Sequence, residues 1–273
     1  MRGADLPGDD HWPRHARQWA LVGPPLRPGP ADVAAVRAQV ARCGPAPRGL
    51  VLGVTPELIA AGWPVAARLI AIERSADVIA AIGPRGPRGP ATALQADWRA
   101  LPLAPRSIDL AVGDGALSNL RFPDDYRALA GELARVLAPG GRVALRLFAA
   151  PPTAEPLDAV AAALGAGAIG SFHALKWRVA MAIQPADRNV GVAAIGRAVE
   201  ALCGDRAALA ARTGWPRVVI DAIDSYRGSR LTYSFPTQAE VIAALGDALA
   251  VVDEVVPSYE LGARCPTVTW ARR

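Results

Sequence analysis

The stretch Gly49–Glu57, GLVLGVTPE, read with Glu73 twenty residues after Gly53, constrains this chain more than any other feature. Leu50, Val51 and Leu52 form a short apolar run suited to a strand buried on both faces, and Gly53 ends it. Thr55-Pro56-Glu57 spells a helix start: a capping hydroxyl, proline at the first helical position and an acid in the first turn. LIAIE, 69–73, reads as the next strand, closed by a carboxylate. A strand, a tight turn, a helix and an acid about 20 residues on make the ribose-binding half of a Rossmann-like unit. A pyrophosphate would need bare backbone N–H groups at a positive helix end. Here Pro56 removes one donor and Glu57 adds negative charge, so the site suits an adenosine ligand without phosphate.

From 48 to 148 apolar strands alternate with helical segments, the pattern of a parallel sheet covered on both faces. The expected strands are 49–53, 69–73, about 92–95, 108–112 and 141–148. Residues 1–30 are rich in Pro and Gly, carry Trp12 and Trp19 and the run GPPLRPGP (23–30), and cannot form a long helix. Two tryptophans in this arm argue that it packs over the core. The segment 31–43 places Val33, Val36 and Val40 on one helical face. Residues 152–236 break the alternation and read as helices at about 153–165, 171–184, 191–203 and 206–213. A helix at 237–248 and strands at 249–256 and 266–271 then resume it. The expected organisation is an arm and helix over 1–47, a core over 48–151, a helical insertion over 152–236, and a closing helix and strand pair over 237–273.

With these pieces the chain resembles the class I methyltransferases that use S-adenosylmethionine (SAM), well over roughly 48–150 and loosely at the C-terminal end. Besides the Gly53 turn and Glu73, IERSADVIAAI resembles the family's second strand and helix, and ADWRALPL (96–103) the step after its third. SIDLAVGDGALSNL (107–120) resembles the fourth strand and the loop beside the reacting methyl group. YRALAGELARVLAPGGRVALRLF (126–148) resembles the helix, Pro-Gly-Gly turn and fifth strand. Where the family's first motif has an acid and two further glycines, this chain has Val51, Thr55 and Glu57. The resemblance implies a mostly parallel seven-stranded α/β sheet ending in an antiparallel pair, with the insertion above the carboxyl ends of the strands. It implies SAM as cofactor, contacted by Gly53, Thr55, Glu73, Arg74, Asp97, Trp98, Gly113, Asp114 and Gly115. Glu73 would hold the ribose hydroxyls, Asp97 the adenine amino group, Trp98 the adenine slot, and Asp114 the methionine ammonium or the substrate.

Methyl transfer from a sulfonium needs positioning more than acid–base help, so the cofactor site should be more legible than the catalytic residues. His173, Trp177 and Met181 share one face of the helix 171–181, which reads either as a packed helix or as a substrate-facing lid. In the lid reading His173 and Asp114 are the candidate bases, and Trp19, Arg27, Lys176, Trp177, Tyr226 and Tyr233 the candidate substrate contacts. The fourth-strand loop lacks the [DN]-P-P-[YF] box of amino-methylating enzymes, and no Pro-Cys follows it to attack a pyrimidine. Asp124 and Asp125 read as an N-cap and a first-turn acid, and no cluster has metal-ligand spacing.

Composition narrows the class further. A chain of 273 residues, 52% hydrophobic, can bury one large elaborated core. The charge of +5 is arginine, since Lys176 is the only lysine, and the arginines are scattered. That reads mainly as coding bias, with a nucleic-acid partner the lesser reading. Three distant cysteines indicate neither a disulfide framework nor a zinc site. MRGADLPGDDHW has no apolar signal core and no run spans a membrane, so a cytoplasmic enzyme is expected. The expected function is O- or N-methylation of a small molecule. A non-catalytic adenosyl-binding module and an RNA or ribosomal methyltransferase are the alternatives, and a dinucleotide oxidoreductase is weaker.

Overall fold

The computed structural model describes residues 18–84 and 91–273; Trp12 lies outside them. Seven strands form one sheet: β1 Arg48–Leu52, β2 Arg68–Glu73, β3 Thr92–Gln95, β4 Ile108–Asp114, β5 Leu137–Arg146, β8 Leu249–Val255 and β9 Thr267–Arg272. Their order is β3-β2-β1-β4-β5-β9-β8. The first five pair in parallel, and β9 runs antiparallel to both β5 and β8. Successive β1 side chains go to opposite faces. Leu50 and Leu52 meet Leu129 and Leu133 of helix 124–136 in one apolar layer. Val51 joins Val36, Val40 and Val78 in the other. Burial on both faces explains why these strands read as unbroken apolar runs rather than alternating ones.

The helices are α1 Pro30–Val40, α2 Pro56–Ile59, α3 Ala76–Ile82, α4 Asp124–Val136, α5 Leu157–Gly165, α6 Phe172–Ile183, α7 Val192–Cys203, α8 Arg206–Thr213, α9 Arg217–Asp221 and α10 Gln238–Leu245. Local signals set most of the boundaries. The Ser171 hydroxyl accepts from the Ala174 N–H and starts α6. Thr237 and Glu240 form a reciprocal capping box on α10. Three expectations need correction. The Thr55 side chain caps nothing, and α2 is a single turn of four residues. Asp124 is the first helical residue rather than the cap, and Asp125 reaches back to the Arg121 N–H. Pro139-Gly140-Gly141 is not a turn before the fifth strand. It is an irregularity inside β5, where Leu137 already pairs with Ile108 and the register slips before Leu110 meets Arg142.

The insertion has its own apolar core, built around Phe172, Trp177, Val192, Ile195 and Phe235, which also takes in Val22 and Leu26 of the arm. A two-stranded ribbon of β6 Asn189–Gly191 and β7 Thr232–Ser234, not expected from the sequence, ties it to α4 and the loop before it. Asn189 exchanges hydrogen bonds with the Phe122 backbone (3.0 and 2.9 Å), and Tyr126 Oη meets Ser234 Oγ at 2.9 Å.

Candidate functional site

A cavity of about 580 Å³ lies outside the carboxyl ends of β1, β2 and β4, where open α/β sheets hold ligands. One half is built from the turns after those strands. Gly53 has φ +90°, a conformation only glycine adopts freely, and its N–H donates to the Ile72 carbonyl at 2.7 Å. A Cβ there would stand 3.9 Å from both Glu73 Oε2 and the Trp98 ring. The Glu73 Oε1 accepts the Ser75 N–H at 2.8 Å, while Trp98 Nε1 donates to the Ile72 carbonyl at 2.6 Å, fixing the indole as a wall. Burial raises the Glu73 carboxyl above its ordinary value against the backbone N–H groups that lower it. The other half is aromatic: Phe148, Trp177, Tyr226 and Tyr233, with Trp19 of the arm. Gly115 joins the halves. Its φ of +57° and the Phe148 ring, which a Cβ would overlap, both demand glycine.

The structure brings together in this cavity Gly53, Thr55, Glu73, Arg74, Asp97, Trp98, Asp114, Gly115, Trp19, Trp177, Tyr226 and Tyr233. Two of these are already committed to partners. The Asp97 carboxylate caps the Arg99 N–H (2.9 Å) and takes the Arg99 guanidinium (2.6 Å), which also reaches Asp125 (3.0 Å). The Arg99 hydrogen bonds hold Asp97 below the usual carboxylate range. Asp114 is not a free base: Arg146 donates to it at 2.5 Å inside the protein. Burial pushes the Asp114 carboxyl up while Arg146 pulls it down.

Four expected residues fall outside the cavity. Gly113 lies within β4, where a Cβ would crowd Leu145, Ala116 and Leu52, so it is a packing glycine. Arg27 bonds Glu57 and lies over the Trp19 ring (5.2 Å), latching the arm to the first turn of α2. His173 is buried and its Nε2–H donates to the Leu21 carbonyl at 3.0 Å. Burial, aided by Lys176, lowers its pKa to about 3, so it is a neutral strut between α6 and the arm rather than a base. Lys176 is enclosed beside the Phe172 and Tyr226 rings (5.7 and 5.4 Å), and burial lowers it to about 7.

Sequence reasoning missed Arg146, Arg99 and Asn119. The signal that could have found Arg146 is its place as a lone charge in VALRLF, where only a buried ion pair would keep it. Asn119 lines the cavity; its Nδ2 donates to the Gly115 carbonyl (3.2 Å) and its buried Oδ1 has no partner among the described residues.

The family model described as a methyltransferase domain matches residues 50–145, the segment that holds β1 to β5 and the cofactor half of the cavity. The core of this chain is a class I methyltransferase domain. The cofactor of that family is SAM, and the residues fit it. A glycine cradle, a carboxylate at the end of β2, an indole wall and the orphaned Asn119 acceptor offer hydroxyl, ring and ammonium contacts without any phosphate-binding loop. No curated protein sequence matches this chain. Among solved structures, a Rhodobacter sphaeroides protein described as a putative zinc-dependent alcohol dehydrogenase is similar, at 15% identity and TM-score 0.59, with 96% of this chain and 98% of that chain covered. A SAM-dependent methyltransferase of Methanosarcina mazei is 14% identical (TM-score 0.52; 91% and 99% covered). One of Mesorhizobium loti is 18% identical (TM-score 0.50; 90% and 99%). At these identities the likeness is one of fold. Among the described residues, no group of three or more His, Cys, Asp or Glu is placed to hold a metal ion, and no helix is long and apolar enough to cross a membrane.

Proposed function

We propose that this methyltransferase transfers the methyl group of SAM to an oxygen or nitrogen of a small molecule held against the aromatic half of the cavity. The observation that carries this reading is the continuity of one cavity from Gly53, Glu73 and Trp98 across Gly115 to Phe148 and Trp177. Glu73 accepts the ribose hydroxyls, Trp98 covers the adenine, and Asn119 with the neighbouring Ser118 turn receives the methionine end. Asp97, held by Arg99, shapes the adenine slot and has little accepting capacity left for an amino group. When bound, SAM supplies a sulfonium methyl. The proton of a protonated acceptor would leave to solvent, since Asp114 is held by Arg146 and His173 lies outside the cavity. The chain contributes position and exclusion of water, which can supply several kcal/mol of the barrier. The arm takes part through Trp19, which lines the cavity and is pinned by Arg27, itself bound to Glu57.

Calorimetric titration with S-adenosylhomocysteine tests the cofactor half. Glu73→Gln should weaken binding by about 1.5–3 kcal/mol, the range for a hydrogen bond to a charged group. Wild-type affinity should itself fall as pH drops through the raised Glu73 value, because the protonated acid is the poorer acceptor. Unchanged affinity in the variant would remove Glu73 from the ribose.

A further inference from the structure

Resting on the methyltransferase reading, we infer that the acceptor substrate carries a singly charged anionic group, a carboxylate or its like, which pairs with Arg121 while its apolar body lies against the aromatic half of the cavity. The sign comes from the lining. Its carboxylates are Glu73, Asp97, Asp114 and Asp125; its guanidiniums are Arg74, Arg99, Arg121 and Arg230, with Arg146 bound to Asp114. The guanidiniums are in excess. SAM itself brings a sulfonium and an ammonium against one carboxylate, which adds to that excess. A cationic acceptor would meet its own sign here, and an anionic one the opposite.

The pairs already made single out Arg121. Asp97 and Asp125 share Arg99 (2.6 and 3.0 Å), and Asp114 takes Arg146. Arg230 carries an interaction of its own. Arg74 follows Glu73 at the end of β2, and its charge lowers both the Glu73 and the Asp97 carboxyls, so it is balanced within the cofactor half. Asp125 accepts the Arg121 backbone N–H with one oxygen (3.0 Å) and Arg99 with the other, and so leaves the Arg121 guanidinium alone. That guanidinium makes no ion pair among the described residues.

Arg121 is also placed to meet a guest. Its N–H is tied to Asp125, and the preceding Leu120 carbonyl accepts from Ser234 Oγ of β7 at 2.8 Å. These bonds fix its backbone at the seam between the loop after β4 and the insertion, beside the strand whose Thr232 and Tyr233 line the aromatic half. Its side chain is exposed, whereas Lys176 is enclosed, so an entering anion reaches the arginine first. The planar fork of a guanidinium can give a carboxylate two parallel hydrogen bonds.

Three probes of one shape separate the possibilities: 2-naphthoate (anion), 2-naphthamide (neutral) and 2-naphthylmethylammonium (cation). Binding is measured by calorimetry to protein saturated with S-adenosylhomocysteine. At low salt the naphthoate should bind about 3- to 10-fold more tightly than the amide, the scale of one half-exposed charged pair, and the cation more weakly than either. The preference should shrink as salt is raised to about 0.5 M. Arg121→Gln should bring the naphthoate-to-amide ratio close to one and leave S-adenosylhomocysteine affinity within a factor of two, while Arg74→Gln should keep the ratio. Failure of the naphthoate to bind, an amide or cation that binds as tightly, or a preference that survives Arg121→Gln would overturn the inference; the first two need no variant to fold. A large loss of S-adenosylhomocysteine affinity in Arg121→Gln would overturn it too, by assigning the arginine to the cofactor's own carboxylate. Failure of the wild type to bind S-adenosylhomocysteine at all would count instead against the methyltransferase reading.

Discussion

Replacing Arg146 with methionine tests a buried charge that several groups share. Its guanidinium is 3% exposed and donates to Asp114, to the Pro25 carbonyl (2.8 Å) and to Tyr259 Oη (2.8 Å), while Asp32 lies 3.7 Å away and is itself buried. Tyr259 passes the network on by donating to Asp32, which caps the start of α1 through the Gly29 N–H. Methionine keeps the stem's volume and removes the charge, leaving the Asp114 carboxylate and the Pro25 carbonyl without their donor and Asp32 with only Tyr259 and the Gly29 N–H. Breaking a buried pair on one side costs about 3–5 kcal/mol. With a urea slope of about 3 kcal/mol per molar, the midpoint should fall by about 1–2 M.

The dependence on pH has a definite sign. Burial raises Asp114, and in the variant the arginine that opposed this is gone. A carboxyl whose folded pKa exceeds its unfolded value contributes stability fully present below the unfolded value, about 3.9, and lost as pH rises through the folded one. The gap between variant and wild type should therefore be smaller at pH 5 than at pH 8. Adding Asp114→Asn to the variant should recover about 1–2 kcal/mol at pH 8, because the unpaired anion is then removed. A loss under about 1 kcal/mol, or one that neither pH nor the second substitution alters, would refute the hub.

Four further substitutions have equally direct readouts. Gly115→Ala meets both the left-handed backbone and the Phe148 ring, so urea unfolding should show a loss of about 2–4 kcal/mol. Gly131→Ala, in open space on α4, should gain up to about 1 kcal/mol in the same assay. Lys176→Met removes a buried amine whose folded pKa is about 7, well below its ordinary value. Protonation favours the unfolded chain, so wild type should gain on the variant by up to about 3 kcal/mol between pH 7 and pH 9; parallel stability curves would contradict this. His173→Gln should lower stability by about 1–2 kcal/mol while leaving S-adenosylhomocysteine affinity within a factor of two, since its ring serves Leu21 rather than the cavity.

The core was legible because its signals are local. The apolar run before Gly53, the helix starts near 171 and 237, and the spacing of Val33, Val36 and Val40 each carry their meaning within a few residues. What stayed hidden depends on pairing across the fold. Asp97 and Asp114 were recognisable as acids at strand ends, but neither the pairing of Asp114 with Arg146 nor the reach of Arg99 on to Asp125 could be assigned without the third dimension. His173 and Lys176 looked functional because polar residues are scarce in α6, yet one props the arm and the other lies against aromatic rings. The three-residue strands β6 and β7 gave no periodicity to read, lying more than 40 residues apart with the helices of the insertion between them.

The position of β9 bears on how the chain is made. This strand lies inside the sheet, between β5 and β8, yet follows both in sequence. A ribosome adding roughly 5–20 residues per second must deliver the whole insertion, α10 and β8 before it arrives. Through those seconds β5 keeps an unsatisfied row of N–H and C=O groups, and Val143 and Leu145 wait without Val268 and Trp270 beside them. Tyr259 reaches Arg146 in the same late interval, so the charged hub closes only when the sheet does. The nascent chain is therefore sticky from the end of β5 until its last strand arrives, and a holding chaperone would find its target at the naked side of β5.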